Sequence, residues 1–434
     1  MPHALQSASP PTLLFPFPNH GTRPAQCRAV PRDGLLLGRG APVFDEPFDD
    51  PLMAPAHAEL RFQGSRAFVH DLASGGETRL NGTPLAEPSE LREGDVIRLG
   101  DTPLMFTTQA RSPGSRRDAI GDEPELTGFT PSIEAVRRSV EAVAPHPRTV
   151  VVLGETGTGK EIVARQLHRR AGRTGPFLAV NCGGFSEGLL ASELFGHVRG
   201  AFTGAVAEQQ GLFRAARGGT LLLDEAGEIP LALQPTLLRA LETWQVRPVG
   251  STRDVPLDVR VIAASNRELV GLVQQGRFRA DLYARLAQWV IRLPPLRDRR
   301  EDIPALVMAL LERLEERGRS LAPDFAEALL LHPWPLNVRG LSNVLSIATI
   351  ATPAGQPLQL GDEVLSAMED NRIEQLAPVP DVAPVVLDRA ALEELLRRFG
   401  GRVAEMARHV GVSRPKLYRM LWAAELDPAP FRQR

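Results

Sequence analysis

The chain has 434 residues, too many for one hydrophobic core, and at about 150 residues per domain its length argues for roughly three domains. Fifty Lys and Arg face 52 Asp and Glu, a formal net charge of -2, so no global field marks a nucleic-acid or membrane partner and charge must be read locally. Two cysteines, Cys27 and Cys182, exclude a disulfide framework and a cysteine-rich zinc site, and no apolar run approaches the ~18 residues of a membrane span; a soluble cytoplasmic protein with no membrane partner is expected.

Residues 1–30 are rich in proline and turn formers without sustained periodicity, which predicts a flexible arm. Over 31–108 short apolar runs (LLLG, HAELRF, RAFVHDL, TRLNGTPL, DVIRLG, PLMFTT) alternate with turn signals such as Asn81-Gly82 and Glu93-Gly94-Asp95, the pattern of a small all-β sandwich. Gly38-Arg39, His57-Ala58, Asp71-Leu72-Ala73-Ser74, Leu80-Asn81-Gly82 and Gly94 to Gly100 resemble, in order, the signature of a forkhead-associated (FHA) domain. That resemblance implies phosphothreonine-peptide binding through loops at one end, with Arg39 and Asn81 at family contact positions. Two positions depart from it: Ala54 stands where a serine is expected, and Gly76-Glu77 replaces an Asn-Gly. A polar stretch, 109–123, predicts a linker.

From 124 to 371 helical and strand patterns alternate, as in an α/β domain with a parallel sheet, and a helical lid is expected over about 300–371. The apolar run Val150 to Leu153 empties into Gly154-Glu155-Thr156-Gly157-Thr158-Gly159-Lys160, a phosphate-binding loop. Its glycines let backbone N–H groups surround a phosphate, Lys160 adds a cation, and the following helix adds its dipole. Glu161 stands where Ser or Thr commonly ligates magnesium. About sixty residues on, Gly218-Gly219-Thr220-Leu221-Leu222-Leu223 ends in Asp224-Glu225, which places Asp224 on a Mg2+ shell and Glu225 on the attacking water. Asp224 can hold the metal through water without a loop hydroxyl. A third apolar strand, Val259 to Ala264, ends in Ser265-Asn266, and Asn266 could sense the γ-phosphate of ATP. Arg279 and Arg285, in FRADLYARL, are candidates for stabilising transition-state charge in a neighbouring subunit of a ring.

Between the nucleotide motifs lies Gly200-Ala201-Phe202-Thr203-Gly204-Ala205, an aromatic among small residues, which reads as a mobile loop that touches a partner. GETGTGKE, ELFGH, GAFTGA, GGTLLLDE, FRADLYARL, LRDRREDI and HPWPLNVRGL, in that order, resemble the AAA+ domain of the NtrC-like activators of sigma-54 RNA polymerase. The resemblance implies ATP and Mg2+ as cofactors and an oligomeric ring, expected to be a hexamer. It further implies that Asn181 switches Glu225, that Arg339 is a second nucleotide sensor, and that Phe202 and Thr203 engage the sigma factor. Leu336 and Gly340 stand where that family usually has Gly and Glu, and Gln210 and Arg214 where it has Arg and Glu.

Residues 372–386 are a Pro-rich second linker. Over 387–434, Leu392, Leu395, Leu396 and Phe399 share a helical face, Val403, Met406, Ala407 and Val410 repeat it, and a third helix opens at Ser413. Ten Lys and Arg against six Asp and Glu between Asp388 and Arg434 suit DNA phosphate. The segment resembles a Fis-type helix-turn-helix, with Ser413, Arg414, Lys416 and Arg419 facing double-stranded DNA. The combined expectation is an all-β sandwich, an α/β AAA+ ATPase with helical lid, and an all-α DNA-binding end. Such a chain would sit at an upstream activating sequence and spend ATP to open promoter complexes of sigma-54 holoenzyme under control of a phospho-signalling sensor. The alternative is an AAA+ ATPase remodelling other protein clients.

Overall fold

The structure is a computed structural model that describes residues 11–39, 41, 43–45, 47–72, 76–108, 126–202, 205–373, 389–399, 406, 410, 421, 424 and 426. The chain divides into two units, Met1–Arg372 and Ile373–Arg434.

The first unit opens with ten strands: β1 Thr12–Phe15, β2 Gln26–Ala29, β3 Leu35–Leu37, β4 Ala58–Gln63, β5 Arg66–Asp71, β6 Thr78–Leu80, β7 Thr83–Pro84, β8 Ser89–Leu91, β9 Val96–Leu99 and β10 Thr102–Thr107. They form a six-stranded sheet in the order β2-β1-β10-β9-β6-β7 and a four-stranded sheet in the order β3-β4-β5-β8. Leu13, Leu37, Leu60, Val69, Ile97 and Leu104 fill the space between the sheets, inward residues of alternating strands as in other sandwiches. The expectation of a flexible arm is corrected for 11–30, residues 1–10 lying outside the described residues. Thr12, Leu13 and Leu14 pair with Thr107, Phe106 and Met105, and β2 pairs with β1, so this Pro-rich start supplies two strands of the larger sheet.

The rest of the unit runs α1 Pro131–Val143, β11 Val150–Leu153, α2 Lys160–Arg170, β12 Phe177–Asn181, α3 Glu187–Phe195, β13 Gly196–His197, β14 Gln209–Gln210, α4 Leu212–Ala215, β15 Thr220–Asp224 and α5 Gln234–Thr243. It continues with β16 Gln245–Val246, β17 Val255–Pro256, β18 Arg260–Ser265, α6 Leu269–Gln274, α7 Ala280–Leu286 and β19 Trp289–Arg292, then the lid helices α8 Ile303–Arg313, α9 Pro323–Leu331, α10 Asn337–Ala351 and α11 Asp362–Ile373. Five parallel strands lie in the order β12-β15-β18-β11-β19, so chain neighbours β11 and β12 are separated by two strands. The apolar runs that read as buried strands are buried on both faces: Val150 to Leu153, Leu221 to Leu223 and Val261 to Ala264. Parallel register brings the carboxyl ends of these strands level, Leu153 with Ser265 and Asn181 with Asp224, which is where ligands bind in open α/β sheets.

In the second unit, α12 Arg389–Arg398 presents Leu392 and Leu396 to Met406, Leu421 and Leu426. Among the described residues no helix is long and apolar enough to cross a membrane.

Candidate functional site

The phosphate loop leaves β11 and turns into α2, and its glycines meet real steric limits. Gly157 and Gly159 have φ of +79° and +103°, and a Cβ on Gly157 would lie 2.1 Å from Leu336 O. Thr158 is buried and braces the loop by donating from Oγ1 to Glu155 O at 2.8 Å. Lys160 donates from Nζ to Gly154 O (2.8 Å) and Glu155 O (3.0 Å). Burial lowers the ammonium pKa and Arg339 adds to that, while Asp224, Glu225 and Glu155 oppose it. Lys160, Arg339 and the Asp224, Glu225 and Glu155 carboxylates therefore share one electrostatic site. The Glu161 carboxylate, where Ser or Thr commonly stands, lies exposed at the helix start and accepts from Arg165 at 2.8 Å.

At the end of β15, Asp224 Oδ1 accepts from Glu225 N at 3.0 Å. Glu225 has φ +52° and ψ +43°, a left-handed backbone that costs a residue with a Cβ about 1 kcal/mol or more and is concentrated at functional sites. Its carboxylate leans on Gly183, where a Cβ would sit 2.6 Å from Oε2, and Asn181 Oδ1 accepts from Gly183 N at 2.8 Å. Asn181 and Glu225 thus meet at one glycine. Between them Cys182 is buried, its thiol pushed up to about 12 by burial first and then by Asp224 and Glu225, so it is an inert packing group. Asn266 lies exposed just beyond β18.

The lid reaches the loop through residues the sequence reading did not single out for it. Arg297 donates to both carboxylate oxygens of Glu155 at 2.7 and 2.6 Å, and this bond first holds the Glu155 carboxyl below its usual range. Asn337, fully buried and with φ +54°, donates from Nδ2 to Thr156 O (2.9 Å) and Glu155 Oε2 (3.2 Å) and accepts from Leu296 N (2.7 Å). Val338 N donates to Gly157 O at 3.0 Å. These bonds set α10 against the loop, and Arg339 follows two residues after Asn337. Leu336 adopts φ -91° and ψ 11°, which needs no glycine, and so accounts for that departure.

The two arginines of FRADLYARL differ. Arg279 caps α7, with its backbone N donating to Gln234 Oε1 and its half-exposed guanidinium pairing with Asp281 at 2.8 Å. Arg285 turns inward, donating from Nε and Nη2 to Leu241 O at 2.9 and 2.7 Å. Arg279 is the more exposed of the two.

The paired strands β13 and β14 are the base of a hairpin that carries the Phe202 loop. Gly200 N donates to Ala205 O and Ala205 N to Phe202 O, closing the turn, and Ala201 packs against Gly250. Phe202 is 42% exposed and sets its ring against His197 with centroids 5.0 Å apart. Thr203 and Gly204 lie outside the described residues, as do Ser413, Arg414, Lys416 and Arg419.

In the sandwich, Arg39 is exposed and its N donates to Ala54 O at 3.0 Å, so the two positions at which phosphate contact and the missing serine were expected are neighbours. His57 is buried, accepts from Ala54 N, and is covered by Gly76, where a Cβ would meet its ring at 2.3 Å. Asn81 holds a turn. Its Nδ2 donates to Asp95 Oδ1, its Oδ1 accepts from Val96 N, both at 2.9 Å, and with φ +51° it is a turn former tying the β6-β7 hairpin to β9.

A phosphate loop, an acidic pair at the end of a neighbouring parallel strand, and an arginine-bearing lid on that loop define an AAA+ nucleotide-binding domain, here joined to an FHA sandwich and a helical end. Consistent with this, residues 126–292 match the sigma-54 interaction domain, 35–100 the FHA domain, 297–371 the AAA+ ATPase lid domain, and 385–421 the bacterial regulatory proteins of the Fis family. The transcriptional regulatory protein ZraR of Klebsiella oxytoca is 40% identical over 333 residues, covering 74% of this chain and 71% of its own length. The putative uric acid sigma-54-dependent transcriptional regulator UacR of Escherichia coli K12 is 40% identical over 327 residues, covering 70% of this chain, which spans 55% of that relative. A crystal structure of NtrX from Brucella abortus in complex with ATP superposes with a TM-score of 0.51 at 30% identity, covering 70% of each chain. The chain belongs to the sigma-54-dependent transcriptional regulators.

Proposed function

We propose that the chain hydrolyses ATP in a homo-oligomeric ring and spends the energy moving the Phe202 hairpin against sigma-54 RNA polymerase holoenzyme, while its C-terminal unit holds double-stranded DNA upstream. The observation that carries this reading is the placement of an exposed aromatic hairpin in the same α/β domain as the phosphate loop and the Asp224-Glu225 pair. Asp224 offers one carboxylate beside Lys160, a donor set that suits Mg2+, which keeps several waters and leans on the phosphates. Bound Mg2+ would neutralise charge on the β and γ oxygens. Glu225 orients water, Lys160 and Arg339 meet the phosphates, and Arg279 of one subunit reaches the nucleotide of the next. ATP is bound on the loop, and the sandwich senses a phosphothreonine protein through Arg39.

Glu225→Gln tests the hydrolytic assignment. The amide keeps shape but loses the base, so the variant should bind ATP with near-parental affinity and turn it over at less than about one hundredth of the parental rate. Hydrolysis at the parental rate would remove Glu225 from the catalytic role.

A further inference from the structure

The six-stranded sheet of the sandwich does not end in solvent. Leu14 and Phe17 of the N-terminal segment, with Val96 and Met105, share one hydrophobic cluster with Leu321 and Phe325 of the lid. At its edge Leu321 N donates to His20 O at 2.7 Å, and Thr107 donates from Oγ1 to Glu301 Oε1 at 2.8 Å. The polar centre is Arg98. Its guanidinium is 12% exposed and pairs with Asp324 and, at 3.1 Å, with Glu327, both on α9. The same side chain holds its own turn, from Nε to Gly100 O (2.9 Å) and from Nη2 to Asp101 Oδ1 (3.5 Å).

That turn leads back to the loop that carries Arg39. Asp50, 1% exposed, accepts from Asp101 N and Thr102 Oγ1, both at 2.8 Å, and from Leu52 N at 2.9 Å. Asp50 lies in the β3-β4 connection that begins with Arg39 and ends at His57. A series of polar contacts, most of them part-buried, therefore runs from Asp50 in the loop that carries Arg39 through the β9-β10 turn and Arg98 to α9. The lid in turn places Arg297, Asn337 and Arg339 on the nucleotide loop.

We propose that the face formed by β1, β9 and β10 is an interaction surface whose partner is the lid of the same chain, and that Arg98 joins the Arg39 loop to the lid. Docking buttresses the lid in the position that puts Arg339 beside Lys160, so undocking lowers the fraction of chains with an organised nucleotide site. The inference rests on the reading that this site binds ATP, and its docking half is measured separately.

The experiment uses the full chain and two readouts: hydrogen exchange of 323–331 and the Kd for a fluorescent ATP analogue. Arg98→Glu sets a fourth carboxylate beside those of Asp101, Asp324 and Glu327; it should speed exchange in α9 and raise Kd about fivefold, the change expected when the organised fraction falls to about one fifth. Arg98→Glu combined with Asp324→Arg inverts the pair and should restore both readouts. Asp50→Asn should act in the same direction as Arg98→Glu, whereas Arg61→Ala, whose exposed ion pair with Glu59 lies on the other sheet, should change neither. Unaltered α9 exchange in Arg98→Glu overturns the docking surface. Faster exchange with unaltered Kd overturns the link to the nucleotide, and an effect of Arg98→Glu not shared by Asp50→Asn overturns the link to the Arg39 loop. A parental chain that binds no analogue refutes the ATP reading, while the exchange data still decide the docking.

Discussion

Replacing Asn337 with Ala removes the bond that ties the lid to the nucleotide loop, and the structure sets the size of the loss. The buried Leu296 N–H loses the Asn337 Oδ1 acceptor, and an unsatisfied buried donor costs about 1–3 kcal/mol. The Thr156 carbonyl is only part-buried and can recover water, so its loss is nearer the lower end, about 1 kcal/mol. Asn337 has φ +54°, and Ala in that left-handed conformation adds about 1 kcal/mol that Asn tolerates better. The sum is about 3–5 kcal/mol, or a fall in Tm of roughly 6–20 °C for a domain of this size. Asn337→Gly loses the same hydrogen bonds without the backbone strain, so it should unfold about 1 kcal/mol later than Asn337→Ala. Urea unfolding of both variants, with the Kd for ATP measured in parallel, checks this. If Asn337→Ala matches the parental chain in stability and affinity, or if Gly is no better than Ala, the latch does not carry the load assigned to it.

Arg279→Ala should lose most ATPase activity at unchanged stability and recover part of it when mixed with Glu225→Gln subunits, measured as turnover against mixing ratio; no recovery at any ratio would place Arg279 within its own subunit. Arg285→Ala should instead lower Tm, because it leaves Leu241 O without two donors, and should not be rescued by mixing. Ala54→Ser beside Arg39 should tighten phosphothreonine-peptide binding about fivefold, since a neutral hydrogen bond contributes ~1 kcal/mol, and Arg39→Ala should abolish it. Fluorescence anisotropy of the full chain against phosphorylated and unphosphorylated peptides decides, and equal binding of the two peptides by both the parental chain and Ala54→Ser contradicts phosphate recognition.

The phosphate loop and the acidic strand end were legible because their pattern is local. Gly154 to Lys160 lie in one turn, and an apolar strand ending in Asp224-Glu225 announces itself by pattern. The lid latch was not, because Glu155 and Arg297 are 142 residues apart and Asn337 and Thr156 are 181 apart, and nothing in a helix start reading Leu336-Asn337-Val338 says which loop it will face. Asn337 could have been flagged only as a residue type tolerant of positive φ. The N-terminal strands were missed for a different reason. Thr12–Phe15 is four residues between prolines, too short for periodicity, and its burial is decided by β10 and the lid, about ninety and three hundred residues away. Asn81 was legible as part of an Asn-Gly turn, whereas its side-chain bonds to Asp95 and Val96 join residues 14 and 15 positions away.

The central claim is that nucleotide hydrolysis is coupled to promoter opening through the Phe202–Thr203 tip. It is tested most directly by permanganate footprinting of a sigma-54 promoter with purified holoenzyme, the full chain and ATP. The parental chain should open the promoter only with hydrolysable ATP, and Thr203→Ala should keep most of its ATPase activity yet give no open complex. Equal footprints from the parental chain and Thr203→Ala, or opening by the parental chain without hydrolysis, would contradict the account.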